Sequence, residues 1–221
     1  RDAQIYMVTP NSIATHLEAV GKPSASAAFG AWRAVAIIAF VVTLMLAAQA
    51  RAETVVIEDI MGRQVELETP VSRIVLGAGR QLPILGLIHK DPASLLVGWR
   101  DDFRRDETSF AAWAGAFPRL NDIPILGGVG GSGLDVETIV GLSPDLIILS
   151  LYDAEAPATQ RSMEVLDALD IPVMVVDFFA HPLENSLPSL RMIANAVGAE
   201  ERAEAFIAFY EERLEAVTSR L

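Results

Sequence analysis

The hexapeptide Asp145-Leu-Ile-Ile-Leu-Ser150 limits the fold more than any other stretch of the chain. Its unbroken apolar centre has no polar face, so a strand built from it must be covered on both sides, as strands of parallel sheets are. Three more runs share this character: Arg73–Gly77 (RIVLG), Leu95–Trp99 (LLVGW) and the segment IPVMVVDF from Ile171. Helical patterns separate them. RQLPILGLI tolerates Pro83 only in its first turn, and DETSFAAWAGAF carries Phe110, Trp113, Ala114 and Phe117 at helical spacing, which reads as core packing. Further helices are expected over Asp135–Leu142 and Ala158–Leu169. SLPSLRMIANAVG has Ser186 as expected N-cap and Gly198 as the closing glycine. Strands alternating with helices predict an α/β fold, a parallel sheet flanked by helices and ending in a long α-helix. A hairpin around Met61-Gly62-Arg63 is expected to precede the sheet, and a short strand is expected at Ile123–Leu126. The final segment sets Ala203, Phe206, Tyr210, Leu214, Val217 and Leu221 on one stripe.

The N-terminal region reads differently. Ala34 to Ala48 is an uncharged run preceded by Arg33 and followed by Ala50-Arg51-Ala52, an A-x-A pattern. A membrane span needs about 20 apolar residues and a signal-peptide core about 7–15. The run fits the second, so a cleaved export signal cut after Ala52 is expected, with an uncleaved anchor as the alternative. The sequence opens on Arg1, and Met7 is an alternative initiator. Residues 1–52 are set aside as an N-terminal extension and signal peptide.

The 221 residues carry a formal net charge of −12 and no cysteine. The charge disfavours a nucleic-acid surface. The missing cysteine excludes disulfides, thiolate metal sites and a cysteine nucleophile. Beyond residue 52 the histidines are His89, a surface residue at a helix end, and His181, near the expected cleft. Neither belongs to an H-x-x-H or His/Glu cluster, so no protein-held metal is expected.

Gly128-Val-Gly130-Gly-Ser-Gly133 is a literal G-x-G-x-x-G, and Asp153 lies where a dinucleotide protein would place a ribose-binding acid. An NAD-dependent oxidoreductase using the Gly128–Gly133 loop is therefore an alternative. A dinucleotide helix begins within the glycines and runs along the sheet. Here Asp135 reads as an N-cap, and Ser143-Pro144 stops the helix after about two turns. The loop reads better as the flexible edge of a ligand cleft. No G-x-S-x-G, H-E-x-x-H or Walker lysine is present, so no enzyme and no resident cofactor are expected.

Five segments occur in a telling order: DIMGRQVEL, SRIVLGAG, GLDVETIVGLSPDLIILS, IPVMVVD and LPSLRMIANAVGAEERAEAFIAFYEERL. Over Thr54–Leu221 this series resembles the substrate-binding proteins of ABC importers for iron–siderophore complexes, haem and cobalamin, whose two lobes are joined by a long helix. The resemblance implies a periplasmic protein that captures a ferric chelate and delivers it to an ABC permease dimer in the inner membrane. Haem and cobalamin stay open as ligands. It implies an N-terminal α/β ligand-binding lobe over 53–197 and an inter-lobe helix over 198–221. The C-terminal lobe is then missing, as in a fragment or truncated gene product, and an exposed apolar stripe would favour self-association.

In such a protein the ligand sits at the carboxyl ends of the parallel strands. The loops concerned are Gly77–Gln81, Trp99–Arg105, Gly127–Gly133, Ser150–Asp153 and Phe178–His181. Arginines suit ligand oxygens and aromatic rings suit stacking. The ligand-binding candidates are Arg80, Trp99, Arg100, Tyr152 and Phe178. The bland alternative for Arg80 is a solvated arginine, and for the run RDDFRRDE a solvated loop. The resemblance also aligns Glu137 with a glutamate that docks on the permease; the alternative is an ordinary first-turn glutamate favoured by the helix dipole.

Overall fold

The computed structural model describes residues 53–126 and 133–220. The readings made for residues 1–52, for Gly127–Ser132 of the glycine loop and for Leu221 lie outside the described residues.

The hairpin forms as its alternation requires. Strands β1 (Glu53–Glu58) and β2 (Gln64–Thr69) pair antiparallel from Glu53↔Thr69 to Glu58↔Gln64. Ile57, Val65 and Leu67 point into the core while the glutamates face solvent. Gly62 turns the chain with φ +75°, in the left-handed region that glycine enters without a Cβ penalty. Asp59 explains the DIMGR segment. Its buried carboxylate accepts the backbone N–H groups of Met61 and Arg63 at 3.0 Å, and that of Val175 at 3.1 Å. Arg63 pairs with Asp59 and donates to the Val173 carbonyl at 2.9 Å. The hairpin turn thereby covers a sheet edge that would otherwise offer unpaired backbone groups.

The main sheet contains β3 (Ile74–Leu76), β4 (Leu96–Trp99), β5 (Leu146–Ser150) and β6 (Val173–Val176) in the order β4-β3-β5-β6, all parallel. Alternate residues feed two cores. Ile74, Leu76, Leu146, Ile148, Met174 and Val176 face one, and Val75, Ile147, Leu149, Val173 and Val175 face the other. This double covering is what the DLIILS pattern demanded, and each fully buried Leu or Ile contributes about 1.5–3 kcal/mol. Asp145 fixes the entry of β5 by accepting the N–H groups of Ser72 and Arg73 at 2.9 Å.

Helices cover both faces: α1 (Leu82–Ile88), α2 (Glu107–Ala116), α3 (Val136–Leu142), the single turn α4 (Leu151–Ala154), α5 (Pro157–Asp167), α6 (Pro182–Val197) and α7 (Glu200–Thr218). Asp135 caps α3 as expected, accepting from Thr138 N at 3.1 Å and Thr138 Oγ1 at 2.7 Å. The Thr138 hydroxyl, with its backbone N–H, holds the Asp135 carboxyl below its ordinary pKa. Trp113 is half-buried against the first core, as its spacing implied.

Three expectations need correction. Ile123–Leu126 makes only a single parallel bridge, Trp99↔Ile125. Pro124 contributes its carbonyl to Trp99 N at 3.1 Å but has no N–H with which to extend a ladder. Ser186 is not an N-cap: α6 starts at Pro182, because the Asp177 carboxylate already collects the N–H groups that precede it. Gly198 closes the helix as expected, at φ +67°. The stripe on α7 is shorter than anticipated and includes Ile207. Ala203 and Ile207 are buried in the core of the lobe and Phe206 packs beside them, whereas Leu214 and Val217 are exposed. The helix leaves the body it packs against after its first half.

Candidate functional site

The parallel strands end together on one side of the sheet, and the loops that leave them enclose a cleft of about 330 Å³. Gly77 and Ala78 follow β3, Arg100 and Asp102 follow β4, and Ser150, Tyr152 and Asp153 surround the end of β5. Phe179 and Ala180 follow β6. Arg80 projects from the turn that leads into α1. The carboxyl edge of such a sheet is where α/β proteins hold ligands.

Two ion pairs organise the polar wall. Arg80 Nε donates to Asp102 Oδ2 at 2.9 Å, and Gly79 N donates to Asp102 Oδ1 at 2.6 Å. Asp102 therefore occupies the backbone N–H groups that would otherwise make this turn attractive to a free anion. Arg100 Nη1 donates to Asp153 Oδ1 at 2.9 Å, and the Ser150 hydroxyl donates to Asp153 Oδ2 at 2.6 Å. Asp153, the acid that a dinucleotide reading would assign to a ribose, is thus held by protein groups on both oxygens. The apolar wall is Phe179, with the Arg80 guanidinium 5.2 Å from its ring centroid, and Tyr152, which is 80% exposed at the rim.

Asp177 builds the support for Phe179. Its buried carboxylate accepts from the N–H groups of Phe179, Ala180 and His181 and from Asn185 Nδ2, all within 2.8–2.9 Å. Burial by itself would raise this carboxyl; the hydrogen bonds from Asn185 and the three backbone N–H groups outweigh it and hold the pKa at about 2. The loop that presents Phe179 is consequently tied to the start of α6.

Of the residues singled out from the sequence, Arg80, Arg100 and Tyr152 converge on the cleft. Trp99 does not. It is fully buried, with ring centroids 6.4 Å from Phe103 and 6.1 Å from Phe110, because neighbouring residues of a strand point to opposite faces. Trp99 takes the core side and Arg100 the cleft side. Phe178 is corrected too: in the bend that Asp177 organises beyond β6, Phe178 packs on the core, and Phe179 is the ring in the cleft. The run RDDFRRDE is not wholly solvated, since Arg100 and Phe103 are buried and the Asp102 side chain is only 8% exposed. Asp102, Ser150 and Asp153 lie in loops expected to border the ligand but are not among the ligand-binding candidates read from the sequence. Nothing in the local sequence marks Asp102, whose partner Arg80 lies 22 positions away.

Glu137 is exposed in the first turn of α3 and does not line the cleft. His181 is exposed, with Nδ1 3.9 Å from Glu184 Oε2. His89 is half-buried just beyond α1. Among the described residues, no group of three or more His, Asp or Glu side chains is arranged to hold a metal ion. None of the described helices is long and apolar enough to cross a membrane.

Residues 126–221 match the family model described as periplasmic binding protein. No curated protein matches the chain in sequence. Among solved structures, the chain is similar to the TroA-like periplasmic binding protein FepB of Veillonella parvula. The two share 29% identity with a TM-score of 0.64, over 75% of this chain and 49% of that one. The molybdate periplasmic binding protein MolA of Haemophilus influenzae, solved with molybdate bound, shows the same fold at 16% identity and TM-score 0.59, over 73% of this chain and 52% of that one. The siderophore-binding protein BauB, bound to a complex of two acinetobactin molecules and ferric iron, does so at 14% identity and TM-score 0.53, over 76% and 54%. The chain spans about half the length of these structures. The expected resemblance to periplasmic binding proteins thus meets a match to their family model over residues 126–221, and the expected α/β fold, a parallel sheet flanked by helices and ending in a long helix, is the fold observed.

Proposed function

We propose that this chain forms a ligand-binding lobe of a periplasmic solute-binding protein, which captures an iron chelate and delivers it to the permease of an ABC importer. The observation that carries this reading is the cleft itself. Two arginines, Arg80 and Arg100, and two aromatic rings, Phe179 and Tyr152, converge at the carboxyl ends of four parallel strands. A ferric chelate has an oxygen-rich coordination shell around the metal and organic arms outside it. Guanidinium donors suit the oxygens, and the rings suit the arms. Among the described residues Arg80 donates only through Nε and Arg100 only through Nη1, so each guanidinium keeps N–H groups for a ligand acceptor. Binding of this kind breaks no covalent bond. The protein's part is to orient the ligand and exclude water from one side of it. Glu137, exposed outside the cleft, is the residue this reading assigns to permease docking.

The test is a fluorescence titration. Trp99 lies next to Arg100 in sequence and reports on the cleft from beneath it. Saturable quenching by ferric siderophores, with none by NADH, supports a binding lobe. Saturable binding of NADH, or preferential binding of haem or cobalamin over every ferric siderophore, would replace the iron-chelate reading. Recovery of the processed chain from the periplasmic fraction tests the location.

A further inference from the structure

Resting on the reading of the cleft as a chelate site, we propose that Asp102 and Asp153 are specificity-determining residues that tune it to an uncharged ferric chelate and against a polyanionic one. Each guanidinium in the cleft wall faces a carboxylate of the same wall at 2.9 Å: Arg80 with Asp102, and Arg100 with Asp153. The four charges sum to zero. The remaining lining residues, Gly77, Ala78, Ser150, Tyr152, Phe179 and Ala180, carry no charge at neutral pH. Fold relatives hold a molybdate anion in one case and a ferric siderophore complex in another, so the fold leaves ligand charge open.

The carboxylates cannot simply step aside for an incoming anion. The Asp102 side chain is 8% exposed and also accepts from Gly79 N at 2.6 Å, while Asp153 is held on its second oxygen by the Ser150 hydroxyl at 2.6 Å. An anionic chelate would meet two guanidiniums already neutralised, with a fixed negative charge beside each. The chain's net charge of −12 adds a weaker long-range repulsion. An uncharged tris-hydroxamate complex meets no such opposition. Its carbonyl oxygens accept from the guanidinium donors that the aspartates leave unused, while its arms lie against Phe179 and Tyr152.

The experiment compares two probes on the full chain: ferrichrome, an uncharged ferric tris-hydroxamate, and ferric enterobactin, a trianionic ferric tris-catecholate. The unmodified protein is expected to bind ferrichrome at least about tenfold more tightly at low salt. Asp102→Asn and Asp153→Asn each expose one guanidinium charge and should shift the ratio toward the trianion by about tenfold, with the shift shrinking as salt is added. Arg80→Gln should move the ratio the other way. Asp102 also secures Gly79, so thermal melts accompany that variant; if it does not fold, Asp153→Asn and Arg80→Gln decide. Preference of the unmodified protein for the trianion overturns the proposal and leaves the chelate reading intact, as does an equal effect of the aspartate variants on both probes. Failure to bind either complex overturns the chelate reading and this proposal together.

Discussion

Arg100 and Asp153 meet at 2.9 Å across the carboxyl ends of β4 and β5, although 53 positions separate them in the chain. The arginine side chain is 8% exposed and the aspartate 23%. The pair therefore joins two strand ends and forms the floor of the cleft. Neither residue can be removed without leaving the other charged in a poorly hydrated place.

Arg100→Met should cost about 1–3 kcal/mol, less than a fully buried pair because Asp153 keeps Ser150 and partial access to water. The double variant Arg100→Met with Asp153→Leu should recover part of that loss. Urea midpoints of the single and double variants measure the coupling; strictly additive effects would show that the pair contributes nothing of its own.

Asp177 should make stability acid-sensitive in a defined window. Its pKa is held at about 2 in the folded protein against an ordinary 3.8. A depressed carboxyl pKa adds stability that is complete above the unfolded value and is lost as pH falls through the folded one, here about 2 kcal/mol. Asp177→Asn should thus be less stable than the parent by about that amount near pH 6, with the gap closing between about pH 4 and 2. A gap that stays constant across the window would refute the hydrogen-bond account.

Gly79 has no room for a side chain. A Cβ there would collide with the backbone carbonyl of Arg100 and approach Asp102 Oδ1 to 3.1 Å. Gly79→Ala should separate the ends of β3 and β4, lower stability by about 1–3 kcal/mol and abolish ligand quenching. Unchanged ligand affinity in a folded Gly79→Ala protein would show that the two strand ends need not be in register for binding.

Glu137→Arg should abolish transport in cells while ligand affinity in solution stays within about twofold, since the residue lies outside the cleft and surface substitutions there perturb the fold by less than about 0.5 kcal/mol. Transport at the parent rate would remove the docking role; a parallel loss of affinity would mean that α3 contributes to the ligand site.

Much of the local structure was legible because its causes are local. Asp135 and Gly198 mark helix ends through capping and a left-handed turn, and Gly62 marks the hairpin in the same way. Buried strands such as Leu146–Ser150 advertise themselves, because both faces must be apolar. One error at the site had a readable remedy. Trp99 and Arg100 are consecutive strand-end residues, so only one of them faces the cleft, whereas Phe178 and Phe179 lie in a bend beyond β6 where no such alternation holds. The strand pattern alone did not say which of Trp99 and Arg100 that would be.

From sequence alone came the parallel α/β architecture, the segment order that resembles a periplasmic binding protein, and the end of the sheet where a ligand would sit. Hydrophobic patterning and chain connectivity suffice for those conclusions. Only the tertiary structure revealed that each cleft arginine already has a carboxylate partner. Such pairing depends on which strand ends become neighbours and on which side chains burial holds in place. Asp102 in a charge run and Asp153 after a strand are indistinguishable from solvated acids until the sheet order β4-β3-β5-β6 brings them to Arg80 and Arg100.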